Sequence, residues 1–126
     1  MSQSIAELTK EIISFRDLRD WHQFHTLKNL MASLAIEASE VLELGQWKND
    51  EELRDALVDD GFREALADEC ADVFAYLLMI CHETEINLAD AMRAKLAKNA
   101  VKYPVDQAYG SATKYTDIGD GKGRIS

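Results

Sequence analysis

Two acidic pairs are the residues most able to do chemistry. In Ile36-Glu37-Ala38-Ser39-Glu40, and again in Asp68-Glu69-Cys70-Ala71-Asp72, a glutamate is followed three residues later by a second acid. On a helix that spacing puts both carboxylates on neighbouring positions of one side. Glu37 borders an apolar stripe, and Glu69 and Asp72 stand in a column with Tyr76, flanked by apolar residues. From Cys70 to Cys81 the segment CADVFAYLLMIC is apolar on nearly every side, the pattern of a buried helix. Two such helices side by side would bring the four carboxylates together.

Four unpaired acids in that position would repel, and burying an ionised group without a partner is costly. They require cations, and the chain has no four basic residues at matching helical positions. An oxygen-only ligand set at this density suits Mg²⁺ or Mn²⁺, with water completing the octahedron. Isolated cysteines argue against zinc. A di-iron bundle would need histidine three residues after the glutamates, where Glu40 and Asp72 stand instead. A plainer reading stays open beside this one: Asp68, Glu69 and Asp72 near a helix N-terminus complement the helix dipole, and Glu37 and Glu40 are solvated edge residues. Glu43 falls on the opposite side of its helix and reads as a solvated acid.

The elements that must hold these pairs are helical. Ser4 to Glu7 has capping-box spacing, and Ile5, Leu8, Ile12, Phe15 and Leu18 recur at helical intervals, which predicts a first helix over residues 5–20. Trp21 to Thr26 breaks the period. A second helix carries Leu27, Leu30, Met31, Leu34, Ala38 and Val41 on one stripe and stops at Gly45. Asn49 and Asp50 open a short acidic helix that ends before Gly61. A third long helix covers residues 62–82, and a fourth starts at the Asn87 cap and stops before Pro104. Nothing reads as a strand. The expected fold class is all-α: an antiparallel four-helix bundle with a short extra helix between helices two and three. Residues 1–117 form the domain, and residues 118–126, with Gly119, Gly121 and Gly123, form a flexible tail.

Bulk properties narrow the function. A chain of 126 residues suits one domain. A net charge of −9 opposes attraction to nucleic-acid polymers and anionic membranes. No apolar run is long enough to span a bilayer, and MSQSIAELTKEI lacks the features of a signal peptide, so a cytoplasmic protein is expected. Cys70 and Cys81 would lie about 16 Å apart along a helix axis, beyond disulfide reach. They read as reduced, buried small hydrophobes. No GxxxxGK[ST] loop is present, so a P-loop mechanism is excluded.

The segments FRDLRDWHQFH from Phe15, KNL from Lys28, EASEVLELGQWK from Glu37, DECADVFAYL from Asp68 and KLAKNAVKYP from Lys95 occur in an order and spacing that resembles the all-α nucleoside triphosphate pyrophosphohydrolases, the MazG-like superfamily. The likeness is greatest to the dCTP pyrophosphatase branch. It implies Mg²⁺-dependent cleavage between the α and β phosphates of a nucleoside triphosphate, with Mn²⁺ a substitute, in a house-cleaning enzyme favouring dCTP or modified pyrimidine deoxynucleotides. It also implies a homodimer or homotetramer. By resemblance, Glu37, Glu40, Glu69 and Asp72 are metal ligands and catalytic acids. Lys95, Asn99 and Tyr103, spaced four apart on one helix side, face the nucleotide, as do His25 and Asn29; Trp21 and Trp47 stack on the base, and Tyr76 supports the ligand shell or sugar. His22 and His82 read as surface residues. A non-catalytic nucleotide- and metal-binding helical module is the alternative.

Overall fold

The computed structural model describes residues 4–112, which contain six α-helices and one 3-10 turn. Helix α1, Ile5–Leu18, starts from a complete capping box: Ser4 Oγ accepts from the Glu7 amide at 3.1 Å, and the Ser4 amide donates to Glu7 Oε2 at 3.4 Å. The chain reverses through Asp20, whose φ of 55° lies in the left-handed region. It then makes the 3-10 turn His22–Phe24. Thr26 caps α2, Leu27–Gly45, by accepting from the Asn29 amide at 3.2 Å. Asn49 and Glu52 form a second capping box on α3, Asp50–Ala56, where Leu53 meets Gly45 so closely that a Cβ there would lie 3.2 Å from a leucine methyl.

Helix α4, Asp60–Thr84, is the longest at 25 residues. It closes on Glu85, left-handed at φ 57°, with the Ile86 amide donating back to the Cys81 carbonyl at 2.9 Å. Two compact units result, Met1–Ile86 and Asn87–Ser126. In the first, α2 and α1 both pack on α4, and the buried apolar centre consists of Leu30, Leu78, Met79 and Cys81. The second unit contains α5, Leu88–Lys102, capped by Asn87, and α6, Val105–Ala108, which follows Pro104. No helix among the described residues is long and apolar enough to cross a membrane.

The all-α expectation holds, and the short acidic helix between the second and third long ones is α3. The architecture is otherwise richer than a four-helix bundle. The 3-10 turn and α6 are additional, and α5, the expected fourth member, belongs to the second unit. The expected tail at 118–126 lies outside the described residues. Helix α4 is not buried on every side: Cys70 is exposed and Phe74 half-exposed, because within this unit only α1 and α2 make substantial contact with it. Leu18, placed on the α1 stripe by its spacing, is exposed at the helix end, and Arg16 is buried instead.

Candidate active site

The packing of α2 on α4 decides where the acids point. Glu37, Glu40 and Glu69 each offer an oxygen lying within 4.8 Å of those of the other two, and all three side chains are half-buried. Oε2 of Glu37 and Oε2 of Glu69 are buried and receive no hydrogen bond. No lysine or arginine among the described residues of the first unit, Met1–Ile86, forms an ion pair with any of the three. Two buried carboxylate oxygens with no donor, beside a third carboxylate, are the situation that a cation relieves.

The proton affinities agree. The neighbouring Glu40 carboxyl, with which a protonated Glu37 could share its hydrogen, is the first cause that pushes Glu37 up to about 7; desolvation and the charges of Glu40, Asp72 and Glu69 follow. Glu69 is raised as well, again first by hydrogen bonding to Glu40, then by desolvation and by the charges of Glu40, Asp72 and Asp68. Without a cation, the cluster retains protons that isolated carboxyls would release. An all-oxygen donor set with orphaned buried atoms fits a hard divalent cation of the Mg²⁺ or Mn²⁺ type.

Asp72 is exposed and is not one of the three convergent acids, although its charge acts on both Glu37 and Glu69. One turn further along α4 from Glu69, it lines a hollow of about 410 Å³ together with Phe15, Trp21, His25, Tyr76 and Met79. Asp72 therefore borders both the acid cluster and an aromatic pocket. Phe15 and Trp21 meet edge to face at 5.8 Å, with the Arg19 guanidinium 3.5 Å above the Phe15 ring. His25 and Tyr76 meet edge to face at 6.4 Å. His25 Nδ1 is buried and has no partner, and desolvation first, then the Arg16 and His22 charges, lower its proton affinity against an opposing pull from Glu83. The imidazole is accordingly neutral at neutral pH.

The other candidates sit differently. Asn29 donates from Nδ2 to the Phe24 carbonyl at 3.0 Å, tying the 3-10 turn to α2. Trp47 is 86% exposed just beyond α2 and does not line the aromatic hollow. Lys95, Asn99 and Tyr103 lie along α5 and its C-cap in the second unit: Lys95 is exposed, Asn99 is half-buried, and the Tyr103 amide donates to the Asn99 carbonyl at 2.8 Å. Sequence reasoning missed Arg16 and Glu83, which pair at 2.8 Å beside the hollow. Arg16 lies four residues after Ile12 on the apolar stripe, and a charged residue at a core position was the available signal.

Three comparisons bear on this geometry. The sequence profile of the MazG-like family matches residues 32–118. The chain is 40% identical over 103 residues to dCTP pyrophosphatase 1 of Bos taurus and 37% identical over 103 residues to dCTP pyrophosphatase 1 of Homo sapiens. Each of those alignments covers 82% of this chain and 61% of the relative, so the chain spans under two thirds of their length. A crystal structure of a pyrophosphatase from Archaeoglobus fulgidus superposes with a TM-score of 0.74 at 38% identity, over 82% of this chain and 95% of that one.

Proposed function

The chain belongs to the MazG-like family, and on that premise we propose that it is a nucleoside triphosphate pyrophosphohydrolase, which cleaves a deoxynucleoside triphosphate between its α and β phosphates to the monophosphate and pyrophosphate. The substrate we assign is dCTP, the nucleotide in the names of its relatives, or a modified pyrimidine analogue. The observation that carries the reading is the convergence of Glu37, Glu40 and Glu69, two of whose buried oxygens have no donor.

Mg²⁺, or Mn²⁺ in its place, would be held by Glu37, Glu40 and Glu69 with Asp72 as the fourth acid, and when bound it supplies positive charge against the triphosphate. The chain's own residues supply the rest. A carboxylate of the cluster takes the proton of the attacking water. Trp21, backed by Phe15, offers its indole to the base, and Tyr76 and the neutral His25 offer polar edges to base or sugar. Because Asp72 borders both the cluster and the hollow, a nucleotide seated there would have its phosphates directed at the acids. Lys95, Asn99 and Tyr103 would contact phosphate and sugar, Trp47 the base, and Asn29 would act by holding the turn before α2. We place the enzyme in the cytoplasm as a homodimer or homotetramer, in keeping with the exposure of Phe74, Leu42 and Trp47.

The test is incubation of the purified chain with Mg²⁺ and a panel of natural and modified deoxynucleoside triphosphates, with the products separated by chromatography. Monophosphate and pyrophosphate in equal amounts are expected, with dCTP or a modified pyrimidine nucleotide preferred. An intact panel, together with a rise in melting temperature on adding nucleotide and Mg²⁺, would identify a binding module without turnover.

A further inference from the structure

Arg16 is the only charged residue among the described ones to be buried, with 7% of its side chain exposed. Its Nη1 donates to Glu83 Oε1 on α4 at 2.8 Å, and its Nε and Nη2 reach Asp17 Oδ1 at 2.9 and 2.8 Å. Glu83 Oε1 lies 3.2 Å from His22 Nε2, so the same oxygen is shared by α1 and the 3-10 turn. The backbone of Arg16 adds a second tie, its carbonyl accepting from the Arg19 amide at 3.2 Å and from the Trp21 amide at 3.1 Å. Arg16 also lines the aromatic hollow.

If the only need were to join α1 to α4, a packed apolar pair would hold them at least as well as a buried ion pair. What the ion pair adds is direction. The segment it holds begins at left-handed Asp20 and carries Trp21 and His25, two walls of the hollow; left unrestrained, such a turn would sample other arrangements. We propose that Arg16 and Glu83 form a clamp that positions Trp21 and His25 for the nucleoside part of the substrate, which makes Arg16 a positioning residue for nucleotide binding. This rests on reading the hollow as the nucleoside pocket.

The test uses Arg16→Met, Glu83→Ala and Glu83→Gln in the full chain. Arg16→Met and Glu83→Ala should raise KM for the nucleotide about tenfold or more while kcat and the Mg²⁺ concentration for half-maximal rate change by less than about twofold. Glu83→Gln keeps an oxygen for Arg16 Nη1 and should fall between wild type and Glu83→Ala; it also serves if the larger changes prevent folding. Hydrogen exchange at the Trp21, Phe24 and His25 amides should accelerate in the variants, while the central amides of α4 stay protected. Unchanged KM and unchanged exchange in a folded variant would overturn the clamp. So would a loss of kcat at constant KM, which marks a smaller folded fraction. If the wild type cleaves no nucleotide, the exchange measurement still decides whether Arg16 holds the turn, and only the assignment of the hollow falls.

Discussion

Glu37 on α2 and Glu69 on α4 each bury an Oε2 that no donor reaches, and the carboxyl of Glu40 beside them is the first cause raising the proton affinity of each. Mutual repulsion of this kind costs stability, and it persists where function requires a cation to resolve it. Removing one acid therefore separates stability from activity. Glu40→Gln and Glu69→Gln should each lower kcat by about a hundredfold or more, while the melting temperature of the metal-free protein stays the same or rises. Thermal unfolding in a chelator, run beside the turnover assay, checks both; a marked fall in melting temperature would make the glutamates structural.

The pH dependence follows with a definite sign. Glu37 moves from 4.5 to about 7 on folding, so between those values the folded chain holds a proton that the unfolded chain has released. Stability of the metal-free protein then decreases as pH rises through this window, and Glu69, raised too, acts in the same direction. A divalent cation displaces the protons, so its binding strengthens toward and above pH 7 and offsets the decrease. Melting curves in chelator from pH 5 to about 7.5, repeated with millimolar Mg²⁺, should diverge as pH rises. Parallel curves would remove the cluster as the cation site.

What the sequence disclosed was local. The caps at Ser4, Asn49 and Asn87 depend on a few consecutive residues, and so do the paired acids, whose i,i+3 spacing places them on one helix side. The azimuth of each helix toward its neighbours was not local. Helical spacing could not show that Asp72 lines the aromatic hollow while Glu37, Glu40 and Glu69 converge, nor that Cys70 is exposed while Cys81 is buried. Arg16 was hidden for a related reason: its partner Glu83 is 67 positions away, and only the packing of α1 on α4 joins them.

The aromatic hollow makes a prediction that leaves the metal site untouched. Trp21 meets Phe15 edge to face and forms part of the wall, so its indole is available for stacking. Stacking of a base on an aromatic side chain contributes about 1–3 kcal/mol. Trp21→Ala should therefore raise KM for dCTP by about tenfold, with kcat at saturation largely kept. Steady-state kinetics on the variant decide this, and a fall in kcat at constant KM would move Trp21 out of the nucleotide pocket.

The last prediction concerns assembly. Among the described residues, Leu30, Leu78, Met79 and Cys81 make up the buried apolar set, while Leu42, Trp47, Val58 and Phe74 of the first unit remain largely or partly in solvent. A domain of this length ordinarily buries a larger fraction of its apolar side chains, and uncovered apolar surface on this scale marks contact with another chain. A second copy of the same chain is the simplest cover, because closed symmetric pairs bury one patch twice. Sedimentation at micromolar concentration should give a mass that is a multiple of 14.2 kDa. A charge placed on an exposed apolar residue, as in Phe74→Asp or Leu42→Glu, should shift the population toward the single chain if that residue lies in the contact. A wild-type protein that sediments as one chain at every concentration would show that these side chains are simply solvated.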